Sequence, residues 1–150
     1  MYWGWDFCCI SRASGMAAKP SKYIYGIEQV VKIIDGDTID CSVDLAPGLG
    51  QRLTLQVRLR FHGCNVAETR TRNKAEKIIG LKAKKRLTEI LDDADELLFE
   101  SHGTGKFGRV LATPYAIDKK GKRSNIVKLM IREGHAREYY GGKREPWFKD

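Results

Sequence analysis

At 150 residues, with 42% hydrophobic and 31% charged side chains, the chain has the size and make-up of one globular domain with a real core. Lys and Arg total 27 against 19 Asp and Glu, a net charge of +8 that points to a polyanionic partner, nucleic acid ahead of an anionic membrane surface. No segment is apolar enough to span a bilayer, and Cys8, Cys9, Cys41 and Cys64 form neither a disulfide framework nor a CxxC zinc pair, which fits a reducing, cytoplasmic compartment.

Residues 1–20 differ from the rest. Met1 to Ile10 is apolar and aromatic but short, and it lacks the basic start of a secretory leader. Ala13 to Ala18 would suit either a cleavage site or an alternative start at Met16. The expectation is a flexible N-terminal extension over 1–20 and one folded domain over 21–150.

Tyr23 to Ile34 is rich in β-branched and aromatic residues and predicts a long first strand. Asp35-Gly36-Asp37-Thr38 then reads as a tight turn into a partner strand ending at Asp44. After a Pro/Gly loop, Leu53, Leu55, Val57, Leu59 and Phe61 alternate with Arg52, Thr54, Gln56, Arg58 and Arg60, the pattern of a half-buried strand. From about Thr71 to Asp92 the period becomes helical, with Ala75, Ile78, Ile79, Ala83, Leu87, Ile90 and Leu91 on one face. A fourth strand over Glu96 to Ser101, a glycine-rich turn and a fifth strand over Val110 to Ile117 follow. Ser124 is placed to cap a second helix that stops at Gly134. The sum is an α+β domain: a five-stranded OB-type β-barrel with a long helix after strand 3 and a shorter helix after strand 5.

One cluster carries chemistry. Two acidic turn residues, a strand-borne arginine and Glu68 just past the strand would suit a divalent cation and a phosphate if they converge. Each has a plainer role open to it. Asp-Gly turns chains, Arg58 and Arg60 can pair with acidic neighbours on the next strand, and Glu68 can sit at a helix N-terminus. The tail from Tyr139 to Trp147 mixes aromatics and cations, which serves single-strand binding or ordinary packing.

Taken in order, Asp35-Gly36-Asp37-Thr38, then Arg60 to Thr69, then Lys106-Phe107-Gly108-Arg109 resemble the motifs of the staphylococcal nuclease (thermonuclease-like) family, from about Val30 to Tyr140. The resemblance implies a calcium-dependent phosphodiesterase acting on DNA or RNA as a monomer, without a membrane. Under it, Asp37, Asn65 and the Val66 carbonyl correspond to the Ca2+ ligands, and Glu68 to the group that activates water. Arg60 and Arg109 would hold the phosphate, with Lys106 and Tyr140 beside the substrate. Asn65 stands where the family has an aspartate, Ala67 where it has proline, and Phe107 where it has tyrosine. The loss of a carboxylate at position 65 lowers the charge offered to calcium. It keeps in play a nucleic-acid-binding module of the same fold with weakened or no catalysis, and a protein-interaction domain as a third class.

Overall fold

The computed structural model describes residues 23–46 and 48–148. The extension expected over residues 1–20 lies outside them. In chain order the elements are β1 (Tyr23–Asp35), β2 (Thr38–Asp44), β3 (Thr54–Phe61), a short β4 (Gly63–Asn65), α1 (Lys74–Asp93), β5 (Glu96–Thr104), β6 (Val110–Ile117), a short β7 (Arg123–Asn125), α2 (Ile126–Arg132) and a short β8 (Arg137–Tyr139).

Five of these strands close an OB-type barrel in the order β3-β2-β1-β5-β6. The neighbours within that order are antiparallel, and a parallel ladder between β3 and β6 shuts the ring, with Leu59 opposite Val110 and Arg60 opposite Leu111. Strand β7 extends β6 at the edge, while β4 and β8 form a separate two-stranded ribbon. Register shifts along β1 bend it, so its first half pairs with β5 and its second half with β2. Gly36 and Asp37 make the two-residue hairpin loop, with Asp35 opposite Thr38.

The core fills the barrel from its inward-facing positions. Ile39, Cys41, Leu59 and Phe61 from the strands meet Ala83 and Leu87 of α1 and Ile126 and Met130 of α2. Each large aliphatic side chain buried there contributes about 1.5–3 kcal/mol. Asn73 caps α1 by accepting from the amides of Ala75 and Glu76 at 3.0 and 3.3 Å. That cap fixes the start of the helix at Lys74, later than the expected Thr71.

Three sequence expectations change. The alternation of β3 is only half honoured: Leu59 and Phe61 are buried, whereas Leu53 and Leu55 are more than half or half exposed. Leu55 lines a barrel mouth made of strand and loop residues, to which no helix among the described residues contributes. Ala75 and Ile78 of α1 are also exposed, because the first turns of the helix run past the core. Asn125, not Ser124, caps α2, accepting from Lys128 N at 3.0 Å; both residues belong to β7, and Asn125 is the one that directly precedes the helix at Ile126.

Candidate active site and phosphate hollow

Asp37 is nearly sealed, at 6% exposure. Its Oδ1 accepts from the Thr38 hydroxyl at 3.0 Å, its Oδ2 accepts from Val66 N at 3.1 Å, and Arg60 forms an ion pair with it. Arg60 also donates to the carbonyls of Asp37 and Cys64, each at 3.4 Å. A buried carboxylate survives only with such partners. The hairpin, β3 and the segment after β4 are thereby tied at one carboxylate. Asp35, the other acidic turn residue, is used differently: it accepts from the backbone N–H of Thr69 at 3.3 Å and from its hydroxyl, anchoring the loop that follows Glu68.

That loop lies directly on α1. A Cβ at Gly80 would fall 2.7 Å from the Ala67 carbonyl oxygen and 3.1 Å from the Glu68 carbonyl carbon. Only glycine allows this approach, and it sets Glu68 at the surface beside the first turn of the helix. Glu68 then lines a hollow of about 330 Å³ together with Asn65, Val66, Asn73, Glu76 and Trp147. Its Oε1 accepts from Arg144 Nη1 at 3.1 Å.

A second hollow, of about 320 Å³, opens on the other side of Arg144 and is lined by Arg60, His62, Lys106, Arg109, Tyr140 and Arg144, among others. Gly63 sits at φ +82 at its floor, and a Cβ there would crowd the Tyr140 ring at 3.1 Å. Glycine is needed on both counts. The turn Lys106–Gly108 holds Phe107 at φ 62, and the Lys106 carbonyl accepts from Arg109 Nε at 3.2 Å, aiming that guanidinium. His62 packs on His102, with ring centroids 4.6 Å apart, and edge-on to Tyr140 at 5.7 Å. Burial, helped by His102, lowers the His62 pKa below the ordinary imidazole value.

The family model described as staphylococcal nuclease homologue matches residues 58–148. The chain belongs to this family. The match takes in the second half of β3, the barrel closure, both hollows and the tail; the hairpin bearing Asp37 lies ahead of it. No curated protein matches the chain.

In this nuclease homologue the site residues expected from the sequence fall into two linked groups. Asp37, Arg60 and Val66 are joined by hydrogen bonds, and Arg60, Lys106, Arg109 and Tyr140 surround the basic hollow. Glu68, Asn65 and Val66 line the neighbouring one. Arg58, on the same face of β3 as Arg60 but one step further from the site, pairs through Nε and Nη2 with both carboxylate oxygens of Asp40 at 2.6 and 2.8 Å. The Arg58 guanidinium holds the Asp40 carboxyl below its usual range. Cys64 is buried, and burial with the nearby Asp37 charge pushes its thiol up to about 12, which suits packing and neither nucleophilic nor metal-binding chemistry.

Among the described residues no group of three or more His, Cys, Asp and Glu is arranged to hold a metal ion. The donors of Asp37, Asn65 and the Val66 backbone are nevertheless all oxygens, the kind a hard cation takes. They fit calcium in type and are poor in charge, because Asp37 is the one carboxylate among them and Arg60 already lies against it. No helix among the described residues is long and apolar enough to cross a membrane. Arg144 was placed by sequence reasoning within the aromatic and basic tail and was not singled out as the residue beside Glu68. Its signal was a basic pair just after Gly141-Gly142, where the chain turns back.

Proposed function

We propose that the protein is a phosphodiesterase acting on DNA or RNA, with the phosphodiester bound in the basic hollow and Glu68 serving the attacking water. The observation that carries this reading is the placement of Arg60, on β3, and Arg109, just before the start of β6, around one hollow next to the Glu68 carboxylate, with the closing ladder holding the two strands together. The ester is anionic, so attack on phosphorus needs positive charge around its oxygens. Arginine supplies that charge with a planar fork that donates to two oxygens at once. Lys106 and Tyr140 line the same hollow and would hold a flanking phosphate and the nucleoside. Glu68 takes the proton from water as general base. Asp37, Asn65 and the Val66 carbonyl would hold a calcium ion, which when bound adds further positive charge against the phosphate.

Single-stranded DNA and RNA incubated with the protein in millimolar calcium are expected to be cut, and cutting is expected to stop with chelator. Intact substrate at every calcium level tested would overturn the reading. A second reading, a nucleic-acid-binding module without turnover, draws on one observation: Arg60 already neutralises the buried Asp37 carboxylate. The two separate on Asn65→Asp, which restores a carboxylate to the donor set. Under the enzyme reading it tightens calcium binding by about tenfold or more, seen as a larger calcium-dependent rise in Tm, and raises the rate.

A further inference from the structure

The tail after β8 folds back and is tied at both ends. Tyr139 Oη donates to the Gly142 carbonyl at 2.8 Å, and Arg137 Nη1 donates to the Pro146 carbonyl at 3.3 Å. The Arg137 guanidinium also stacks 4.2 Å from the centre of the Trp147 ring. Strand β8 is itself held by β4, with Cys64 opposite Glu138 and Asn65 opposite Arg137. The segment between these ties is a strap, and Arg144 lies at its middle. Arg144 lines both the basic hollow and the acidic one, which carries Glu68, Glu76 and Glu145, and no other described residue lines both. Its side-chain partner among the described residues is Glu68.

We propose that Arg144 is a third phosphate-binding arginine, which exchanges the Glu68 carboxylate for a backbone phosphate when nucleic acid enters and carries the strand from one hollow to the other. The proposal rests on the phosphodiester reading above. Both partners of the Arg144–Glu68 pair are about half exposed, at 49% and 59% of the side chain. Exposed pairs of this kind contribute about 0–1 kcal/mol, so the contact is easily surrendered. A guanidinium has five donors, and the pair uses one. A backbone phosphate in the basic hollow offers the rest two non-bridging oxygens that share one negative charge, in bonds stronger than neutral ones. The exchange also frees the Glu68 carboxylate to meet water at the moment substrate arrives. Arg144 is thus both a binding residue and a positioning residue for Glu68.

The test is binding of a labelled single-stranded oligonucleotide by the full chain, in chelator, across a salt series. Arg144→Gln is expected to weaken binding about tenfold at low salt and to reduce the slope of log K against log salt by about 0.7, the value for one single-strand phosphate contact. Arg144→Lys is expected to restore the slope. Unchanged affinity and slope in Arg144→Gln, with wild-type binding intact, overturn the proposal alone. No binding by the wild type at low salt overturns the phosphodiester reading and this proposal with it. A second comparison leaves Arg144 in place. Glu68→Gln frees the arginine and is expected to tighten binding several-fold, more than Glu145→Gln, which removes the same charge from the same hollow. Equal gains from the two substitutions overturn the exchange.

Discussion

Two hollows of nearly equal volume lie side by side and differ in charge. One is lined by Arg60, Lys106 and Arg109 and has no carboxylate on its wall; the other carries Glu68, Glu76 and Glu145. They also differ in construction. The basic hollow is built on the barrel, from the end of β3 and the turn between β5 and β6, with β4, β8 and the tail completing its wall. The acidic one is made where a loop and the tail meet the first turns of α1. Under the proposed function, grip rests chiefly on strand pairing and chemistry on helix packing, with the tail shared between them, and each is open to separate substitution.

The largest effect is expected on the acidic side. Glu68→Gln should slow cleavage by about 10²–10⁴, the usual worth of a general base, and leave oligonucleotide binding intact or tighter. Single-turnover rates set beside binding isotherms would check this, and an unchanged rate would remove Glu68 from its role. On the basic side, Arg60→Gln strands Asp37 as a buried carboxylate without its cation. It should cost about 3–5 kcal/mol in denaturant unfolding as well as weakening phosphate binding. Arg109→Gln, at a partly exposed position, should weaken binding about tenfold and leave stability within about 0.5 kcal/mol. The contrast between these two arginines shows which one the fold also needs.

Gly80→Ala probes the junction of helix and loop. The helix gains about 1 kcal/mol of propensity, but the added methyl meets backbone atoms that do not yield, so a net loss of about 1–2 kcal/mol is expected. Cleavage should fall further than binding, because the displaced backbone carries Glu68. The smallest effect is expected from pH. Folding lowers the His62 pKa, so the unfolded chain binds the proton more readily than the folded one. This part of the stability is full above the unfolded value of about 6.5 and is lost as pH falls toward the folded value. His62→Gln should flatten Tm between about pH 7.5 and 5, with His102 the neighbouring charge that sharpens the wild-type slope.

The barrel was legible because its strands announce themselves. Val110–Ile117 has the bounds expected from the sequence, and Asp35–Thr38 turns where its Asp-Gly pair requires. The ribbon of β4 and β8 was not legible, since three residues carry no measurable period. Burial in β3 was over-read for a related reason. Alternation tells which side of a strand is apolar, and the end of the barrel left uncovered by helices is a matter of tertiary packing. Within the site, Asp37, Arg60, Glu68 and Arg109 were legible as residue types at set spacings. The ion pair that occupies Asp37 was not, nor was the return of Arg144 onto Glu68 across 76 positions.

The parallel seam between β3 and β6 is only three residues long, yet it sets Arg60 and the residue after Arg109 on adjoining rungs. Whatever loosens those rungs pulls the two guanidinium groups apart while the hairpins on either side remain paired. Heat should therefore silence the protein before it melts, with the affinity for nucleic acid fading at temperatures where circular dichroism still reports an intact barrel.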